Sequence, residues 1–217
     1  MRSPALAFAV VLGCTPAGAG TIAGRVQLLE KGARVADASE VVLYLDGVKG
    51  PPTQPAGAVV TMKAKAFTPH VVVVPVGGTV EFPNQDPIFH NVFSVSPQNR
   101  FDLDLYKRPK SGAWTFRAPG IVRIYCNIHP QMSAVVVVRD NPFYAKAARD
   151  GSFAIPDVPA GKYTLVAWSE RGGEQGAPVD VPAEGQLNLQ LSLDASSYKQ
   201  LPHKNKFGKD YAPGEKY

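Results

Sequence analysis

The sequence predicts an all-β protein of short strands, a sandwich or barrel architecture. Three observations predict it. Apolar and polar residues alternate in short runs over nearly the whole length, and no segment sustains a helical period. The 20 glycines and 20 prolines, spread through 217 residues, supply the turns such runs need. A hydrophobic content of 45% with 19% charged residues is that of a chain able to bury a core. The net charge of +5 is modest and scattered. Outside the C-terminal tail no basic stripe with interleaved aromatics occurs, which argues against a nucleic-acid partner.

The elements follow in order. "MRSPALAFAVVLGCTPAGAG" has Arg2, an apolar run from Ala5 to Leu12, then Ala17-Gly18-Ala19. This is the layout of a secretory signal peptide over residues 1–19, with export to the periplasm and cleavage after Ala19. "VLGC" offers a second reading, a lipoprotein box with Cys14 as the lipidated residue. No other stretch is apolar for long enough to span a bilayer. "TIAGRVQLL" and "EVVLYLDG" read as two strands, and "PPTQPAGA" breaks the pattern. The runs "VVTMKAKAF", "HVVVVPVGGTVEFPN", "HNVFSVS", "FDLDLY", "GAWTFRAPG", "VRIYC" and "SAVVVVRD" then read as strands of a sandwich or barrel. "NPFYAKAARDGSFAIPDVPAGKYTLVAWSE" adds at least two more around an Asp150-Gly151 turn, and "GQLNLQLSLD" alternates strictly as a final strand. From Ala195 to Tyr217 the chain is polar and lysine-rich, which predicts an extended or loosely packed tail.

Two strands cannot bury a core alone, so the first two need those after residue 141. The expected organisation is a discontinuous sandwich of residues 20–50 and 141–194 around a second domain at 51–140. "GTIAGRV", "VVLYLDG" and "DGSFAIPDVPAGKYTLVAW" resemble the carboxypeptidase regulatory-like domain, a small transthyretin-like β-sandwich. The match rests on Asp150-Gly151-Ser152-Phe153, Ile155-Pro156, Val158-Pro159 and Gly161-Lys162-Tyr163-Thr164-Leu165.

The inserted domain carries the chemistry. Residues 126 to 132 read "CNIHPQM", a thiol, an imidazole and a thioether within one short stretch, a mixture that suits a soft metal. After cleavage at Ala19, Cys126 is the lone cysteine, so it has no internal disulfide partner and must be buried, reactive or ligated. Upstream, "GTVEFPNQDPIFHNVFS" carries Gly78, Val80, Phe82, Asn84, Asp86, His90 and Asn91, and "FRAPGIVRIYCNIHPQM" carries Pro119, Gly120 and Tyr125 ahead of Cys126, His129 and Met132. Together these resemble a cupredoxin, the plastocyanin-like blue copper domain with a Greek-key β-sandwich, over roughly residues 59–139. The whole arrangement also resembles exported bacterial proteins labelled methylamine utilisation proteins.

The resemblance implies one type 1 copper held by His90, Cys126 and His129, with Met132 as axial ligand. Should Met132 not ligate, the site is three-coordinate or takes a backbone oxygen. Copper cycling between its two states needs ligands that both accept, and a thiolate, two imidazoles and a weak axial sulfur provide them. Zinc rarely takes methionine, and a c-type haem needs Cys-x-x-Cys-His. Asn91 is expected to tie the His90 strand to the Cys126 loop, and Pro130 to stiffen that loop. His70 and His203 read as surface histidines, and Phe143, Tyr144 and Trp168 as core or inter-domain packing.

The expected function is exported single-electron transfer, with a redox protein such as a cytochrome or periplasmic oxidoreductase as partner. A copper carrier or store, and a binding module with a vestigial cupredoxin, are the alternatives. An enzyme is not expected, because copper oxidases and nitrite reductases add centres built from several histidines and only His70 and His203 remain.

Overall fold

The computed structural model describes residues 18–48, 50, 54–199 and 202–211. The expected signal peptide and Cys14 lie outside the described residues, apart from the last two positions of the leader. The chain opens with β1 (Ala19–Glu30), β2 (Ala33–Arg34) and β3 (Val42–Asp46). It continues with β4 (Ala58–Val59), β5 (Thr61–Lys63), β6 (Ala66–Thr68), β7 (Val71–Pro75), β8 (Thr79–Pro83) and β9 (His90–Ser94). After a single 3-10 turn at Pro97–Asn99 come β10 (Phe101–Tyr106), β11 (Ser111–Thr115), β12 (Gly120–Tyr125) and β13 (Ser133–Arg139). The last strands are β14 (Tyr144–Lys146), β15 (Ser152–Pro159), β16 (Gly161–Ser169), β17 (Gly173–Val181) and β18 (Gln186–Asp194). The protein is all-β.

The strands sort into two sets by pairing. β1 runs antiparallel to β15 and parallel to β18, while β3 lies between β14 and β16, with β17 outside β16. The two early strands thus find their partners more than a hundred residues downstream, and the sheets close on Ile22, Val26, Leu43, Leu45, Ile155, Leu165 and Leu193, all almost fully buried. Gly151, with φ of 83°, follows Asp150 in the turn before β15, where a Cβ would run into the Val26 carbonyl, so only glycine fits.

Residues between these halves pair among themselves. One sheet has the order β10-β9-β12-β13-β7, in which β7 is parallel to β13; the facing sheet has the order β11-β8-β4. Val80, Phe82, Val92, Phe116, Ile124 and Val136 fill the space between them. The run "VVTMKAKAF" is not one strand: Ala64 and Lys65 take positive φ and fold it into the β5–β6 hairpin.

The two valine-rich runs are buried on both faces, which explains why they lack alternation. Their second face packs on the other set of strands, where Val71, Val135 and Val137 meet Val42, Tyr44, Val166 and Trp168. Trp168 is therefore a packing residue between the two sets of strands, and Phe143 belongs to the core of the first set. The segment "GEQGAPVDV", to which the sequence reading assigned no strand, forms β17, an edge strand where Pro178 costs little because one side is unpaired. One sequence expectation is corrected here. The described part of the tail, up to Tyr211, has no helix or strand but is not loose: Lys206 and Tyr211 bond to the Cys126 loop.

Candidate metal centre

Two segments supply the centre. The first is the turn from Asn84 to His90. Asn84 accepts the Asp86 N–H on Oδ1 at 2.8 Å and donates through Nδ2 to the carbonyls of Ile88 and Tyr106. This side-chain capping bends the chain where Pro87 forbids a ladder bond, and it delivers His90 as the first residue of β9. The second is the loop between β12 and β13. Met132 N–H donates to the His129 carbonyl at 2.9 Å and Cys126 N–H to the Met132 carbonyl at 3.2 Å, closing a tight loop around Pro130.

The structure brings His90, Cys126 and His129 together, each buried, with their donor atoms within 4.8 Å of one another. His90 Nδ1 and His129 Nδ1 are 3.0 Å apart, and Cys126 Sγ is 3.6 Å from His129 Nδ1. Met132 is 1% exposed and lies in the same apolar cluster as Cys126.

Protonation is set by neighbours. His90 Nε2 is 2.8 Å from Asp86 Oδ2, which can only accept, so the proton belongs on Nε2 and the Nδ1 lone pair faces the cluster. Burial works to raise the Asp86 pKa, but the Lys65 N–H, the His90 ring and the Ala64 N–H outweigh it and hold the carboxyl below its ordinary value. Burial pushes the Cys126 thiol up, opposed by N–H groups of Asn91, Ile128 and His129. Burial and then the nearby His90 ring push the His129 imidazole down, so its neutral form is favoured. Among the described residues His129 Nε2 has no hydrogen-bond partner. A buried thiol beside two imidazoles whose Nδ1 atoms converge is a donor set that a soft or borderline cation fits.

Asn91 lies where the sequence suggested. Its N–H reaches Cys126 Sγ at 3.4 Å and its Oδ1 accepts from Asn127 N–H at 3.3 Å, while Nδ2 donates to Asp102 Oδ1 at 2.7 Å. Sequence reasoning placed Asp86 in the pattern but missed that it orients His90; the signal was its position four residues ahead in the same turn.

His70 and His203 are half-buried and engaged rather than free on the surface. His70 bonds to Glu170 and to the Ser133 carbonyl. His203 stacks on Tyr125, next to Cys126, with ring centroids 4.1 Å apart and planes inclined by 20°. Nothing in the sequence marks where an irregular tail folds back, so this contact could not be foreseen.

Comparison with known proteins gives three kinds of result. No curated protein matches the chain. A sequence-family profile described as polysaccharide lyase family 4, domain II, matches residues 110–189, well under half the length. Among solved structures the chain is similar to a purple cupredoxin from Nitrosopumilus maritimus, with 24% identity, 37% of this chain and 98% of that one covered, and a TM-score of 0.34. It is similar to a Cu-containing nitrite reductase from Thermus scotoductus SA-01, with 29% identity, 43% and 24% covered, and a TM-score of 0.35. It is also similar to the oxidised state of a proline-to-alanine mutant of amicyanin, with 26% identity, 39% and 83% covered, and a TM-score of 0.36.

Proposed function

We propose that this protein is an exported, periplasmic single-electron carrier. In this reading one type 1 copper is held by His90, Cys126 and His129, with Met132 as its axial ligand. The observation that carries it is the convergence of three buried donor atoms from two distant segments. Copper bound there would supply a one-electron couple. The rest is the work of the chain. The Asp86 carboxylate fixes the His90 tautomer, and Asn91 ties the His90 strand to the Cys126 loop. Both loops hang on the closed core of the inserted sandwich, so the donors move little when charge changes. Burial of all three favours retention of the metal over its delivery, which weighs against a copper-delivery role. The partner would be a cytochrome or another periplasmic oxidoreductase.

In the same reading residues 51–140 form the copper domain and residues 20–50 with 141–194 the flanking sandwich; the segregated pairing of the strands supports this division. The test is addition of Cu(II) to the purified protein, read by visible absorption and electron paramagnetic resonance. An intense thiolate-to-copper band that bleaches reversibly on reduction is expected. Tight copper binding without that band would favour storage, and no binding would leave a vestigial site.

A further inference from the structure

We infer that the C-terminal segment His203–Tyr211 is part of the metal centre, with Lys206 and Tyr211 as positioning residues that hold the Cys126 loop shut; as applied to copper this rests on the reading above. The observation is a closed circuit of hydrogen bonds. Lys206 N–H donates to Asn127 Oδ1 at 2.9 Å, and Asn127 N–H donates to Asn91 Oδ1 at 3.3 Å. Asn91 Nδ2 donates to Asp102 Oδ1 at 2.7 Å, and Lys206 Nζ closes the circuit on Asp102 Oδ2 at 2.6 Å. Asn127 follows Cys126 in the chain and Asn91 follows His90, so this one lysine locks together the two segments that bear the donors. Two further contacts reinforce it. The Tyr211 hydroxyl donates to the Cys126 carbonyl at 3.1 Å, and the His203 ring covers Tyr125.

The physical consequence is on opening. Metal can enter or leave a buried cluster only when the 126–132 loop lifts, and lifting it here breaks the tail contacts as well. The Lys206–Asp102 pair is partly solvent-exposed, at 26% and 34% for the two side chains, so salt weakens it. The strap thus sets how fast the site exchanges metal, and does so in a salt-dependent way.

The experiment is hydrogen–deuterium exchange on the metal-free full-length protein, comparing wild type with Lys206→Ala, Lys206→Arg and Tyr211→Phe. Copper release to a chelator is measured on the loaded forms. Lys206→Ala keeps the backbone bond to Asn127 but loses the Asp102 pair, and should raise exchange of the 126–132 amides, and copper release, by about threefold to fivefold, the scale of a partly exposed ion pair. Tyr211→Phe should give a smaller rise, and Lys206→Arg should stay near wild type. High salt should speed loop exchange in wild type and leave Lys206→Ala nearly unchanged. Unchanged loop exchange in Lys206→Ala overturns the inference, and so does an equal rise at remote β16 amides, which would mean global loosening. If wild type binds no copper the electron-carrier reading falls, while loop exchange in the metal-free protein still decides the strap.

Discussion

His70 Nε2 meets Glu170 Oε2 at 2.6 Å, a hundred residues away in sequence, where the residue before β7 faces the turn after β16. The other ring nitrogen lies 3.0 Å from the Ser133 carbonyl. The Ser133 carbonyl and an ionised Glu170 carboxylate both only accept, so the pair of contacts favours the doubly protonated ring. The Glu170 hydrogen bond, against burial, raises His70 above its ordinary 6.5, and the same bond holds Glu170 below its ordinary 4.5. Arg123 Nε, 3.9 Å from Glu170 Oε1, adds to the pull on the carboxylate, and Glu40 adds to that on His70. The two sets of strands are therefore joined by a charged contact beside their apolar one.

That contact makes stability depend on pH in a stated window. A raised histidine stabilises fully below its unfolded value and ceases to as pH rises through its folded value. A lowered glutamate stabilises fully above its unfolded value and ceases to as pH falls through its folded value. Both conditions hold together between about 4.5 and 6.5. Glu170→Gln should lower stability by about 1 kcal/mol inside that window, or about 2–4 °C in Tm for a chain of this size. Thermal melts from pH 4 to 9 should show the gap between wild type and variant shrinking on both sides. A gap that does not vary with pH would show that the pair is neutral.

Cys126→Ser should abolish the visible band and the redox activity of the copper-loaded protein, because serine offers no thiolate to the metal at neutral pH. The fold should persist, since Cys126 is a small side chain within a cluster held by Phe82, Phe116 and Ile124. If Met132 is the axial ligand, Met132→Leu should keep the copper and change the reduction potential, since an axial sulfur is a weak ligand. Voltammetry separates the two. An intense band surviving in Cys126→Ser would remove the thiolate, and an unchanged potential in Met132→Leu would remove only the axial ligand.

Asp86→Ala should weaken copper binding about 10–100-fold, the range for losing a group that orients a metal-bound histidine. It frees the His90 Nε2 proton and also strands the Ala64 and Lys65 N–H groups that the carboxylate accepts. Asp86→Asn keeps an acceptor oxygen and should lose much less. Competition titrations with a copper chelator give both numbers, and equal affinity in wild type and Asp86→Ala would show that His90 needs no such hold.

Much of this was legible in the sequence because it is local. The alternation of "GQLNLQLSLD", the Asp150-Gly151 turn and the spacing of Cys126, His129 and Met132 each follow from residues that are neighbours in the chain. What could not be read is set by distant pairing. β17 is hidden because an edge strand tolerates Gly176 and Pro178, which a central strand would not. His70 looks like a surface residue until Glu170 arrives from another sheet, and His203 until an irregular tail folds back onto Tyr125.

The segregated pairing also predicts what happens when the inserted sandwich is removed. Gly50 abuts Pro142, so the two cut ends already lie side by side and a short linker over residues 51–140 would join them without strain. The remaining strands keep all their mutual partners, since β1 pairs with β15 and β18 and β3 with β14 and β16. The core of Ile22, Leu43, Leu45, Ile155 and Leu165 stays whole. The excision does uncover one face, because Val42, Tyr44, Val166 and Trp168 lose the valines packed on them. An apolar patch of that kind drives self-association. The shortened protein should therefore melt cooperatively by circular dichroism and run as a dimer or larger in light scattering. Replacing Val166, whose side chain lies on the uncovered face, by Thr should shift it toward monomer. A shortened chain that never folds, beside an isolated 141–195 fragment that melts cooperatively on its own, would show that the first two strands do not belong to that sandwich.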